Sequence, residues 1–314
     1  MMDEAVNLAV EGEARGSAAR LGITLLNLLL PGLGLFRLSR YRAGGVFFVG
    51  TILVLLAVVT YLAAGPEPTF SSFVIVAGAG LAAMLFFHAS SMILTWKWSA
   101  KQSNHARMPA RWYALAAVFV IYQMVVWPVP DIVKSRFRCF VATSVSMAPT
   151  LEHGDRFAAR MGTSVSLKRG DLVIVGARGE EFVRRIAALP DDHVAMRRGV
   201  LILNRNPIPQ RIDGSIQRAN QYDTGSYDII RETFPGETGY HLTLDQTKTE
   251  LDDFPEIVLQ NGQYFVLGDN RDHSADSRID PQSGGLGVIE RAQIKGRVLF
   301  RYWRAGRGLS GEKL

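Results

Sequence analysis

The sequence predicts a chain in two parts: an α-helical, multispanning membrane anchor followed by a mainly antiparallel β domain. Apolar residues concentrate before residue 130, in stretches long and uncharged enough to cross a bilayer. Beyond Pro130 the pattern changes to short β-like runs separated by glycine, proline, asparagine and aspartate. No long amphipathic helix interrupts those runs, and no internal repeat or low-complexity tract is visible.

A bilayer core takes about twenty apolar residues in a helix. Residues 43–64, 70–96 and 112–129 meet that requirement. A weaker apolar segment, 21–36 (LGITLLNLLLPGLGLF), is short and broken by Asn27, Pro31 and glycines. It reads as a re-entrant or interfacial piece in preference to a broken span. Asp3, Glu4, Glu11 and Glu13 stand where a removable secretory leader would be basic, so none is expected.

Loop charge gives the orientation. Arg37, Arg40 and Arg42 precede the first span, and Lys97, Lys101, Arg107 and Arg111 precede the third. The loop between the first two spans, GPEPT, has no positive charge. The positive-inside rule puts the basic loops in the cytoplasm. Everything after Pro130 is then extracytoplasmic, on the periplasmic side of a cell (inner) membrane. The expected domains are 1–130 for the anchor, 131–304 for the β domain and 305–314 for a tail. The anchor is expected to carry no chemistry. His88 and Ser90–Ser91 are its notable polar residues within a span, and a helix-satisfied histidine is favoured over one lining a path.

Composition removes several classes. A formal charge of +6 would suit an acidic partner, but no compact Lys/Arg run with interleaved aromatics supports nucleic acid. Much of the charge flanks apolar segments, where it reports topology. The single cysteine, Cys139, excludes an intrachain disulfide and is expected to be a small buried apolar residue. Histidines without ligand spacing, and no phosphate-cradling glycine loop, imply no metal and no organic cofactor.

In the β domain, residues 171–177 (DLVIVGA), 181–189 (EFVRRIAAL), 200–204 (VLILN), 264–268 (YFVLG) and 296–303 (GRVLFRYW) fit strands. Gly154-Asp155, Arg169-Gly170-Asp171, Asn206-Pro207 and Gly284-Gly285 punctuate them as turns. Residues of about 205–255 are polar and weakly patterned, and read as an insertion with hairpin content.

Four blocks then follow in order. Thr143-Ser144-Val145-Ser146-Met147-Ala148-Pro149-Thr150 begins just past the last span. Gly154-Asp155, LKRGDLVIV with EEFVRRIAALPDD, and Tyr264 to Arg278 (YFVLGDNRDHSADSR) come after it. A serine pair alone would be a bland turn, but the SxSMxPT and GDNRxxSxDSR elements in this order resemble the type I signal peptidases. These are membrane serine peptidases that remove leader peptides, and the resemblance covers about residues 134–303. It implies an antiparallel β catalytic domain with a second β region inserted into the first. It also implies signal-peptide-bearing preproteins as partners, cut after small-x-small sites at the bilayer surface.

Residue by residue, the resemblance casts Ser146 as the nucleophile. Ser144 would supply a hydroxyl that joins the Ser146 backbone N–H in an oxyanion hole. Ser274 matches a serine that hydrogen-bonds the general base, and Asp276 and Arg278 match a supporting ion pair. Asp269, in the GDNR turn, is a further supporting residue. The bland reading of that block is an Asx-type turn with a surface ion pair, so Asp276 and Arg278 are assigned to architecture.

The proton acceptor is the departure. The family uses a buried lysine whose pKa is lowered by desolvation. Here the block runs Phe182-Val183-Arg184-Arg185-Ile186, and Arg184 occupies the lysine position. A guanidinium is a poor base. A one-residue shift gives Arg185. Lys168 is upstream in a turn expected to be exposed, and His273, beside Ser274, is the remaining substitute. Thr143 replaces a usual proline. Asp191 replaces a glycine after Pro190, at a turn that aspartate tolerates.

Three functions stay open. One is a serine endopeptidase that cleaves signal peptides with a different proton acceptor. Another is an impaired paralogue that binds leader-like segments without cutting. The third is a multispanning transport or assembly component, which the sparse intramembrane polar residues do not favour. The oligomeric state is not readable from the sequence.

Overall fold

The computed structural model describes residues 17–65, 67–100, 111–162, 166–236 and 239–314. Asp3, Glu4, Glu11, Glu13, Lys101 and Arg107 therefore lie outside the described residues. The chain divides into two compact units, Met1–Val133 and Lys134–Leu314.

The first unit is helical: α1 (Ser17–Leu29), α2 (Leu33–Arg37), α3 (Tyr41–Ala64), α4 (Phe70–Ala100) and α5 (Trp112–Val126). A further helix, α6 (Val129–Arg136), follows Pro128 and runs across the boundary between the units. Among the described residues, three helices are long and apolar enough to cross a membrane: Tyr41–Leu62, Phe70–Ala100 and Trp112–Arg136. Their apolar side chains point outwards, with Leu53 60%, Leu81 60% and Phe86 67% exposed. Water would penalise that surface, whereas a bilayer covers it without cost.

The weaker segment folds as helix, turn and short helix. At 1.5 Å per residue α1 is only about 20 Å long, short of the roughly 30 Å hydrocarbon core. Asn27 closes the break. Its Oδ1 accepts the N–H groups of Gly32 (3.0 Å) and Gly34 (3.2 Å), and its Nδ2 donates to Thr95 Oγ1 on α4 (2.9 Å). Gly32 sits at φ 91°, and a Cβ there would lie 2.5 Å from the Gly44 carbonyl oxygen, so the turn requires glycine. His88 Nδ1 pairs with the Met84 carbonyl of its own helix at 2.9 Å, the satisfied arrangement expected for it.

The second unit contains fifteen strands among the described residues. They are β1 (Phe137–Val141), β2 (Arg156–Met161), β3 (Leu172–Ala177), β4 (Glu180–Ala188), β5 (His193–Arg197), β6 (Val200–Leu203), β7 (Asn206–Pro207) and β8 (Gln210–Asn220). After these come β9 (Asp223–Glu232), β10 (Tyr240–Asp245), β11 (Phe254–Val258), β12 (Gln263–Leu267), β13 (Ile289–Glu290), β14 (Ile294–Arg304) and β15 (Gly308–Lys313). The main sheet has the order β1-β2-β14-β3-β4-β12-β13, with β15 on β14. Smaller sheets run β10-β9-β8 and β11-β5-β6-β7. Every strand pair is antiparallel. The central strand β3 reads as a continuous apolar run because Leu172, Val173, Ile174 and Val175 are all buried.

One element differs from what the pattern suggests. Cys139 is exposed, not buried, because β1 has its ladder partner on one side only, in β2, and turns Cys139 outwards. The weakly patterned stretch holds the long β8–β9 hairpin, paired from Gln210↔Glu232 to Asn220↔Asp223. Few of its side chains are buried, so no alternation marks it; its fixed points are buried ion pairs, Arg218–Asp223 and Arg271–Glu232.

Candidate functional site

The serine turn leaves β1 at Ala142 and is held from below. Ala142 N–H donates to the Asp155 carbonyl and Gly154 N–H to the Ala142 carbonyl, both at 2.8 Å. The buried Asp155 carboxylate accepts from Arg301 (2.7 Å) and from the Ala305 N–H (2.8 Å). Met147 and Leu151 sink into the apolar cluster around Phe157 and Ile174. Ser146 is thereby set at 8% exposure, with the Ser144 hydroxyl 3.0 Å from its own.

The GDN turn after β12 grips the same loop. Asn270 N–H donates to the Ser146 carbonyl (3.1 Å), and Asn270 Nδ2 to the Val145 carbonyl (3.2 Å). Gly268 allows this approach. A Cβ there would stand 2.3 Å from Ser274 Cβ and 2.7 Å from the Ser146 carbonyl oxygen, closer than real contacts.

Strand β4 supplies two arginines with opposite duties, since successive strand residues face opposite sides. Arg184 Nη1 donates to Ser146 Oγ at 3.0 Å and to its neighbour's carbonyl, Val183, at 2.6 Å. Its Nε and Nη2 donate to the Ala275 carbonyl at 3.1 and 2.8 Å. Burial pulls this guanidinium down to about 10, against the attraction of Asp276. It stays protonated at neutral pH. Arg185 instead forms a two-pronged pair with Asp269, at 2.8 and 2.5 Å, and stacks over Tyr240 at 3.9 Å. Thr150 Oγ1 donates to Asp269 as well (2.5 Å).

Ser274, Asp276 and Arg278 form a separate buried cluster. Ser274 Oγ donates to Asp276 Oδ2, and Arg278 pairs with Asp276 at 2.8 Å. Burial alone would raise the Asp276 carboxyl, but Arg278, Ser274 and the Gly268 N–H hold it below the ordinary range. The hydroxyl of Ser274 makes no hydrogen bond to Arg184. A guanidinium reaches further than an ammonium and takes the next carbonyl, that of Ala275.

Neither alternative base approaches Ser146. His273 is exposed, with Nε2 3.2 Å from Tyr227 Oη and 3.5 Å from Asp245 Oδ1. Lys168 is exposed in its turn. Asp191 adopts φ 70°, the left-handed turn expected of it.

A cleft of about 280 Å³ runs beside the serines. Phe140, Met147, Leu151 and Phe157 give it apolar walls, and Arg184, Glu180 and Glu181 also line it. Its size lies just below the roughly 300–1,000 Å³ of small-molecule sites.

Sequence reasoning missed Arg185, Thr150, Asn270 and Gly268 as parts of the site. The alternation of β4 was the available signal for Arg185: adjacent arginines cannot face the same partner.

A serine pair thus lies in a cleft of an antiparallel β domain, backed by buried Asp–Arg pairs. The family model described as signal peptidase, peptidase S26, matches residues 110–303. This chain is a member of that family. A signal peptidase I from Bacillus amyloliquefaciens is 30% identical over 169 residues, covering 53% of this chain and 76% of that protein. Signal peptidase IB of Staphylococcus aureus is 26% identical over 195 residues, covering 60% of this chain and 84% of that protein. A crystal structure of a signal peptidase I from Enterococcus faecalis aligns over 42% of this chain and 97% of that one, with 21% identity and a TM-score of 0.23. The kinship supports a serine endopeptidase acting on signal peptides as the class of activity.

Proposed function

We propose that this chain acts at a cell membrane on the leader segments of exported preproteins, seating a small-x-small sequence in the cleft beside Ser146. The observation that carries the reading is the Ser144–Ser146 hydroxyl pair, 3.0 Å apart, in a cleft of this size. Ser146 Oγ attacks the scissile carbonyl as its proton passes to a water or to the minor neutral form of Arg184. The C–N bond then breaks, the amine of the mature chain leaving with a proton and the leader held as an ester that water hydrolyses. The Ser144 hydroxyl and the Ser146 backbone N–H steady the oxyanion that forms, a contribution of several kcal/mol in such sites. Asp276, Arg278, Ser274 and the Arg185–Asp269 pair hold the loops in register. The basic loops beside the apolar helices, read by the positive-inside rule, support an extracytoplasmic side for this domain, where leader segments emerge.

A second reading is favoured by one contact, the Arg184 N–H donated to Ser146 Oγ at 3.0 Å. A donor at that position cannot take the hydroxyl proton, and a serine hydroxyl is a weak nucleophile while it keeps it. On this reading the chain captures leader segments without cutting them at neutral pH.

One assay separates the two: wild type, Ser146→Ala, Arg184→Lys and His273→Ala on a membrane preprotein with an Ala-x-Ala site. Cleavage by wild type and His273→Ala but not Ser146→Ala supports the peptidase. Wild type no better than Ser146→Ala, with cleavage gained in Arg184→Lys, supports capture and ends the peptidase reading.

A further inference from the structure

The buried arginines of the β unit share a rule that Arg184 alone breaks among the described residues. Arg185 is answered by Asp269, Arg218 by Asp223, Arg271 by Glu232 and Arg301 by Asp155. Arg184 is 3% exposed, its hydrogen bonds go only to carbonyl and hydroxyl oxygens, and the Phe182 ring lies 5.5 Å from its Cζ. No carboxylate of the described residues lies within ion-pair distance of it. The nearby Asp276 and Asp269 are already paired with Arg278 and Arg185. A buried cation without a counter-charge is a costly arrangement, and an anion entering the cleft relieves it.

The cleft specifies which anion. The buried Arg184 lines the cleft together with two hydroxyls that can each donate a hydrogen bond. Glu180 and Glu181 also line the cleft, and Glu181 is tied to Arg138 at 2.7 Å. These carboxylates disfavour a small diffusing anion, while the apolar walls favour a chain that brings side chains with it. An uncut preprotein presents a neutral amide at Ser146. A leader peptide already released presents a carboxylate there.

We propose that Arg184, Ser144 and Ser146 form a receptor for the C-terminal carboxylate of a cleaved leader peptide, so that the cleft retains a product in preference to an uncut preprotein. This rests on the leader-segment reading of the cleft and adds the ionic end that it recognises. The carboxylate sits where the scissile carbonyl would, accepting from the two hydroxyls, with the guanidinium as its counter-charge. No bond is made or broken.

The test uses the full chain in detergent micelles and a dye-labelled leader peptide ending in Ala-x-Ala. Binding by fluorescence anisotropy at pH 7 is compared for the free acid and the C-terminal amide. The acid is expected to bind at least tenfold more tightly. That preference should vanish in Arg184→Gln and persist in Arg184→Lys. Equal binding of acid and amide to the wild type overturns the carboxylate receptor and leaves the leader groove standing. Binding of neither overturns both. Displacement of the labelled acid by an equal concentration of acetate shows a general carboxylate site and ends the peptide assignment. The acid-to-amide ratio in the wild type decides the matter even if Arg184→Gln fails to fold.

Discussion

Arg184 and Arg185 are neighbours in β4 and point to opposite faces of the sheet, Arg184 to the Ser146 hydroxyl at 3.0 Å and Arg185 to both oxygens of Asp269. One pleat of the strand separates a cation facing the cleft from a cation locked into the frame. The two therefore respond differently to the same substitution.

Lysine at position 185 is expected to bring no gain in preprotein cleavage, in contrast to lysine at 184, because its amine would face Asp269. It also cannot reproduce the two-pronged bond or lie flat on Tyr240. We expect a loss of about 1.5–3 kcal/mol, the worth of a hydrogen bond to a charged group. Urea unfolding of Arg185→Lys measures it, and stability equal to wild type would show that the fork geometry is unimportant.

Any Ser146-dependent hydrolysis should climb with pH. Burial lowers the Arg184 guanidinium to about 10, and only its neutral form can accept the serine proton. Below that value the neutral fraction falls about tenfold per pH unit, so the rate should rise about tenfold per unit between pH 7 and 9. Arg184→Lys should show the same rise displaced to lower pH, since an ammonium titrates below a guanidinium. A flat wild-type profile would set Arg184 aside as the proton acceptor.

Gly268→Ala should be destabilising. Its Cβ would press on Ser274 Cβ at 2.3 Å and on the Ser146 carbonyl oxygen at 2.7 Å, and neither is the end of a flexible chain. Overpacking of this kind costs about 1–3 kcal/mol. Thermal melting should fall by about 2–4 °C for each kcal/mol lost in a unit of this size. An unchanged melting temperature would mean that the two loops are free to separate.

Asp276→Asn leaves Arg278 buried without its counter-charge, a loss of about 3–5 kcal/mol by unfolding measurements. The acid limb follows from the same pair. The Asp276 carboxyl is held below its ordinary value, with burial outweighed by Arg278 and Ser274. Its contribution is complete above the ordinary aspartate value of about 3.9 and is lost as pH falls through the lower folded value. Stability of the wild type should therefore drop more steeply than that of Asp276→Asn below about pH 4. Parallel curves would contradict the pair.

The two-part architecture was legible in the residues because its signals are local. A run such as 43–64 is apolar whatever surrounds it, and Leu172–Val175 announces a buried strand by composition alone. Ser144, Ser146, Asp276 and Arg278 were legible as motifs, and Arg184 as an arginine where the resemblance implies lysine. The β8–β9 hairpin was legible only as hairpin content within 205–255; its limits and register were hidden, since a mostly exposed strand has no apolar period to betray them. Cys139 was misjudged because exposure depends on which edge of the sheet β1 occupies. Tertiary structure alone decided the partners. Ser274 serves Asp276 and not Arg184, Ala275 gives its carbonyl to Arg184, and Arg184 is left without a carboxylate. What Arg184 meets turns on a contact between segments 91 residues apart in the chain, where a carbonyl or a charge is won by the group whose length and direction reach it first.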